Sequence, residues 1–101
     1  RFELDASPIF PGARDRAAKG VVSGGVGRGR AARKDAVVTP DGADQALVDI
    51  TYDAETSGGL LITLPASAGA KLEDELARRD VPVHRSGEVV ARSCSTLVEH
   101  V

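Results

Sequence analysis

The 101-residue sequence has no methionine, no tryptophan, one cysteine, one tyrosine and two phenylalanines. Each scarcity excludes something. Without a methionine at position 1 or anywhere else, the expectation is a piece of a longer translated frame. With aromatics at 3% of residues, any core must be built from aliphatic side chains. The single cysteine, Cys94, closes no internal disulfide and offers no metal-ligand spacing, which favours a reducing, cytoplasmic setting. No apolar run approaches the roughly 20 residues of a membrane-spanning helix, and no basic segment followed by an apolar stretch opens the chain as in a secretory signal. A dominant charge is missing too. Thirteen Lys and Arg stand against 15 Asp and Glu, so the basic footprint of a nucleic-acid binder is absent.

What remains suits one small domain over residues 1–101, since single domains commonly run to about 100–150 residues. Phe2-Glu3-Leu4-Asp5 alternates apolar and polar as a short half-buried strand does, and Ser7-Pro8 closes it. Pro11-Gly12 opens an alanine-rich helix over 13–19, with Asp15 and Lys19 spaced to pair and Gly20 at its end. Residues 21–34 carry four glycines and the basic Arg28, Arg30, Arg33 and Lys34, and read as an irregular loop that is mobile unless covered. After the turn Pro40-Asp41-Gly42, Val48, Ile50 and Tyr52 alternate with Asp49, Thr51 and Asp53, the period of a strand with one wet face. Leu60-Leu61-Ile62-Thr63-Leu64, apolar without alternation between Gly58-Gly59 and Pro65, reads as a central strand covered on both faces. A helix is expected over 65–79, with Leu72 and Leu76 toward the sheet, Asp74 pairing with Arg78 and Glu75 with Arg79. Short strands over 81–84, 88–90 and 96–98 complete an interleaved pattern that favours a layered α+β domain.

Several residue patterns invite chemistry. Gly24 and Gly29 have Walker-type separation, but Arg30-Ala31 stands where Lys and then Ser or Thr are needed, so that phosphate loop fails. Gly27-x-Gly29-x-x-Ala32 matches the loose dinucleotide fingerprint, with Asp49 at about the ribose-binding distance, but only Val21-Val22 precedes it as a strand. Thr56-Ser57-Gly58-Gly59 directly precedes the most apolar run. Consecutive small residues let backbone N–H groups converge on a phosphate or other oxyanion, and they equally suit a tight turn between strands. His84 and His100 belong to no ligand cluster, Cys94 has only Arg92 near it in sequence, and Asp49, Asp53 and Glu55 read as solvated acids rather than a magnesium site.

The segment from Tyr52 through Thr56-Ser57-Gly58-Gly59-Leu60-Leu61 to Pro65 resembles the C-terminal domain of the selenophosphate synthetases, or selenide, water dikinases, which carry Asp-Pro-Gln-Thr-Ser-Gly-Gly-Leu-Leu or close variants there. Further similarities follow in the family's order: Ile9-Phe10-Pro11-Gly12-Ala13 resembles its Leu-Pro-Gly-Ala helix entry, Ser23-Gly24-Gly25 its Gly-Gly turn, and Ser86-Gly87-Glu88-Val89 its Ile-Gly-Glu-Val. Two departures stand out: Ala54-Glu55 replaces Pro-Gln, and Arg28-Gly29 replaces an Arg-Asn pair.

The resemblance implies a layered α/β/α sandwich like the C-terminal domain of aminoimidazole ribonucleotide synthetase, here lacking its opening segment. It implies a parent enzyme that makes selenophosphate, AMP and phosphate from selenide, ATP and water with magnesium, as a homodimer. The family's reactive Cys or selenocysteine, catalytic Lys and magnesium-holding aspartates belong to an N-terminal ATP-binding domain. None maps onto this chain, so ATP and magnesium serve the parent, tight binding by this chain is not expected, and no catalytic or metal residue is assigned. The site residues implied are Thr56, Ser57, Gly58 and Gly59 as a phosphate-facing turn, with Gly24, Gly25 and Arg28 as a second loop. Two alternatives remain: a free-standing anion- or partner-binding regulatory module of the same fold, and a related synthetase with another phosphoryl acceptor.

Overall fold

Two capping side chains decide where the middle of the chain turns helical. The Ser23 hydroxyl accepts from the Gly25 N–H at 3.3 Å and starts α2. The Asp44 carboxylate accepts from the N–H groups of Ala46 and Leu47 at 2.8 and 3.3 Å and starts α3. Each satisfies donors that a helix start otherwise leaves open. In the computed structural model, which describes residues 1–54, 57–92 and 95–101, the order is α1 (Ala13–Ala18), α2 (Gly24–Arg33), β1 (Val37–Val38), α3 (Gln45–Thr51), α4 (Ala66–Ala77) and β2 (Val98–Glu99). Helices and a small sheet in one chain make this an α+β protein. No described helix is long and apolar enough to cross a membrane.

β1 and β2 pair in parallel, Val37 with Val98 and Val38 with Glu99. Single bridges extend this sheet: Phe2 pairs in parallel with His100 and antiparallel with Gly87. The Phe2 N–H donates to the Glu99 carbonyl at 2.7 Å, and the Glu3 N–H to Ser86 at 2.8 Å. Gly87 is required there. Its φ of 153° and the approach of the first residues leave no room for a Cβ, which would collide with the Arg1 carbonyl oxygen. Gly12, at φ 81°, likewise supplies the left-handed turn that admits α1.

The core is small. Leu4, Leu47 and Val48 are buried together, with Phe2, Ile9, Ala43 and Tyr52 packed around them, and α1 lies against α3. His100 joins this core at 4% exposure. Its Nδ1 is 2.9 Å from the Thr39 hydroxyl, and the rings of Phe2 and Tyr52 meet it edge-on at centroid distances of 6.3 Å.

The helices over 13–19 and 65–79 appear nearly as the sequence predicts. Other expectations are corrected. Residues 48–53 do not form a strand: most of them belong to α3, because Ala43, Ala46, Leu47 and Ile50 also recur at helical spacing and Asp44 caps the start. Residues 21–34 are not an irregular loop, since most of them form α2. No strand is assigned over 60–64, where Leu60 is 89% and Leu61 78% exposed and no described segment forms a backbone ladder with the run. Residues 81–84 and 88–90 form no strand, with only the Gly87 bridge beside them, residues 2–5 contribute only the Phe2 bridge, and β2 starts at Val98. α4 buries none of its residues, Leu72 and Leu76 included, and its ion pair joins Glu75 to Arg78 at 2.7 Å.

Burial and the nearby Arg30 cation lower the His100 pKa below its usual value. The unfolded chain therefore takes up the proton first as pH falls. Stability from the neutral ring is full above about pH 6.5 and declines below it toward the lowered folded-state pKa. Urea melts between neutral and mildly acidic pH should fall in midpoint, and His100→Gln should flatten that dependence. Gly87→Ala should lower Tm by breaking the Phe2 bridge, whereas Gly27→Ala, where a Cβ meets nothing within 4 Å, should stabilise α2 by about 1 kcal/mol. A Gly87→Ala protein as stable as the parent would contradict the bridge.

Candidate functional site

The start of α2 lies beside the end of α3. The Ser23 hydroxyl, besides capping α2, donates to Asp53 Oδ1 at 2.5 Å, and the same oxygen accepts from the Ala54 N–H at 2.9 Å. One turn along, Arg30 donates to Asp49 Oδ1 at 2.5 Å and sits 5.5 Å above the Tyr52 ring centroid. Tyr52 in turn packs on Gly29, whose absent Cβ would lie 3.5 Å from the Tyr52 carbonyl oxygen. α2 is thus fastened to α3 at two levels, by a hydroxyl–carboxylate bond and by a cation between a carboxylate and a ring.

Of the sequence-nominated elements, the second loop falls at this junction. Gly24 and Gly25 form the first turn of α2, and Ser57, Gly58 and Gly59 are all exposed. Thr56 and Glu55 lie outside the described residues, as does Cys94. Arg28 is exposed near the start of α2, with Arg33 and Lys34 at its far end. The electrostatics are specific. Free N–H groups and the helix dipole favour negative charge at the start of α2, and the Asp53 carboxylate already supplies it.

The remaining candidates separate. Asp49 is committed to Arg30 and Asp53 to Ser23, so the acids do not converge. Among the described residues no group of three or more His, Cys, Asp or Glu side chains is placed to hold a metal ion. Gly27, Gly29 and Ala32 lie inside α2 rather than in a turn after a strand, which removes the dinucleotide fingerprint. His84 is exposed, and His100 is structural. A cavity of about 290 Å³ lies elsewhere, lined by Leu4, Arg14, Asp44 and Leu47 among others. There the Arg14 guanidinium, helped by the Leu47 and Ala46 N–H groups, holds the Asp44 carboxyl below its usual range. Ser23, Arg30 and Tyr52 were not nominated by sequence, and Asp53 was read there as a solvated acid rather than as the partner of Ser23. A Ser immediately before Gly24-Gly25 was the available sign, as an N-cap.

Comparison with known proteins gives one consistent result. The chain is 33% identical over 93 residues to the selenide, water dikinase of Trichlorobacter lovleyi, covering 92% of this chain and 27% of that protein. It is 33% identical over 89 residues to the selenide, water dikinase of Nitratidesulfovibrio vulgaris, covering 88% and 25%. With that of Caldanaerobacter subterraneus it shares 36% over 78 residues, covering 77% and 21%. The chain therefore spans about a quarter of the length of these relatives. No family model and no solved structure matches it.

Ser23→Ala removes both the cap and the Asp53 contact. It should cost about 1 kcal/mol and speed amide exchange at Gly25 and at residues 57–59. Unchanged exchange at 57–59 would show that the contact does not reach the turn.

Proposed function

Since the chain belongs to the selenide, water dikinase family along 92% of its length, we propose that it is the C-terminal domain, over residues 1–101, of an enzyme that makes selenophosphate, AMP and phosphate from selenide, ATP and water. The observation that carries this reading is the collinear similarity, with Thr56-Ser57-Gly58-Gly59 followed at once by Leu60-Leu61. In this reading the turn from Thr56 to Gly59 faces the cleft toward an N-terminal, ATP-binding domain, and Gly24, Gly25 and Arg28 flank it across the Ser23–Asp53 contact. The turn offers small residues and exposed backbone, and Arg28 offers a cation. Both suit the oxygens of a phosphoryl group.

Catalysis of phosphoryl transfer rests on positioning and charge neutralisation. The described residues do not fit a magnesium centre, and no step is assigned to them through that ion. ATP and magnesium belong in this reading to the rest of the enzyme, a homodimer in the cytoplasm. The domain completes its layered α/β/α sandwich only when more chain covers the apolar residues 60–64.

The purified 101-residue chain is accordingly expected neither to hydrolyse ATP nor to form selenophosphate. Phosphorus NMR with selenide, magnesium and ATP reads both. Selenophosphate formed by this chain alone would overturn the assignment of catalysis to the rest of the enzyme.

A further inference from the structure

We propose that, in the larger enzyme assigned above, the backbone directly upstream of Arg1 lies between Val89-Val90 and β2 and pairs with both; this rests on that reading. Residues 1–4 already alternate between two partners. The odd-numbered ones face residues 86–88: the Arg1 amine donates to the Glu88 carbonyl at 2.8 Å, the Glu88 N–H to the Arg1 carbonyl at 3.1 Å, and the Glu3 N–H to the Ser86 carbonyl at 2.8 Å. The even-numbered ones face residues 99–101: the Phe2 N–H donates to the Glu99 carbonyl at 2.7 Å, the Val101 N–H to the Phe2 carbonyl at 2.9 Å, and the Leu4 N–H to the Val101 carbonyl at 3.0 Å. Backbone bonded on both edges holds a central place in a sheet. The Arg1 amine occupies the position of a ladder N–H, so neither ladder has a physical reason to stop there.

The two registers extend without conflict. Antiparallel pairing of Phe2 with Gly87 sets the first upstream residue opposite Val89 and the second opposite Val90, and parallel pairing of Phe2 with His100 sets them opposite Val98 and Leu97. By the same alternation, the first bonds to the Leu97 carbonyl and the Glu99 N–H, and the second exchanges both its bonds with Val90. Val98 and His100 donate to Ala36 and Val38 on the β1 side, which turns the Glu99 N–H toward the proposed strand. Val89, Val90 and Leu97 are 79%, 43% and 67% exposed, and neither Val89 nor Val90 makes a backbone bond to another described residue. Covalent continuity selects the occupant. A separate peptide or a second copy would meet the Arg1 amine end-on, whereas attached residues arrive in register and at high effective concentration.

Amide exchange by NMR tests the contact, comparing the 101-residue chain with the same chain carrying a short upstream extension from its own reading frame. The extension should slow exchange at Val90 and Glu99 by on the order of tenfold or more. It should leave unchanged Val89, whose N–H points away from the antiparallel ladder, and Val83, which lies outside it. Unchanged exchange at Val90 or at Glu99, or equal slowing at Val89, would overturn the proposal. Phosphorus NMR of the whole enzyme reads the proposed activity separately. Selenophosphate formed while Val90 and Glu99 exchange freely would overturn this contact alone, and protection of both in a protein that forms no selenophosphate would uphold the contact and overturn the activity.

Discussion

Burial of Leu4, Leu47 and Val48 against Phe2, Ile9, Ala43 and Tyr52 is the contact on which the other elements depend. It joins the N-terminal residues Phe2, Leu4 and Ile9 to α3 and the turn before it, about 40 residues further along the chain. Each fully buried aliphatic side chain contributes about 2 kcal/mol, so so small a set can hold only what is pinned to it. The pins are polar and backbone contacts at its margin. Asp44 caps α3, Thr39 holds His100, and the bridges of Phe2 to His100 and Gly87 seat the N-terminal residues. Residues beyond this margin, including 60–64 and α4, bury almost nothing.

The same core fixes the candidate site indirectly. Tyr52 ends α3 inside the cluster, so Asp53 is held where the Ser23 hydroxyl reaches it, and Arg30 ties the next turn of α2 to Asp49. The start of α2 and the end of α3 thereby become neighbours without sharing a sheet or a helix. At the start of α2 this leaves the backbone of Gly24 and Gly25 with Arg28 exposed on the same helix. Chemistry with a phosphoryl group needs cations and carboxylates in addition, and those lie outside this chain in the proposed enzyme.

How much was legible in sequence depended on whether the signal was local. α1 and α4 were readable because Pro11-Gly12, Gly20 and Pro65 mark their ends by backbone chemistry alone. Over 48–53 the alternation of Val48, Ile50 and Tyr52 fits a strand, while Ala43, Ala46, Leu47 and Ile50 fit a helix. The Asp44 cap decides between them. The glycines of α2 argued against a helix because each weakens it, yet Ser23 and the contacts to α3 outweigh that cost. For 60–64 the apolar run predicted cover, and cover is a property of what surrounds a segment rather than of the segment. The Thr56-Ser57-Gly58-Gly59 sequence was readable as a motif. The bond between Ser23 and Asp53 was not, because the two residues are 30 apart and nothing in their two segments says that they meet.

The central claim is that this chain is one part of an enzyme that phosphorylates selenide. Expressing the reading frame that contains these residues together with the coding sequence around them, and following selenide, magnesium and ATP by phosphorus NMR, tests it most directly. The account predicts selenophosphate, with AMP and phosphate in equal amount. A frame that yields no selenophosphate, or that phosphorylates a different acceptor, would contradict it.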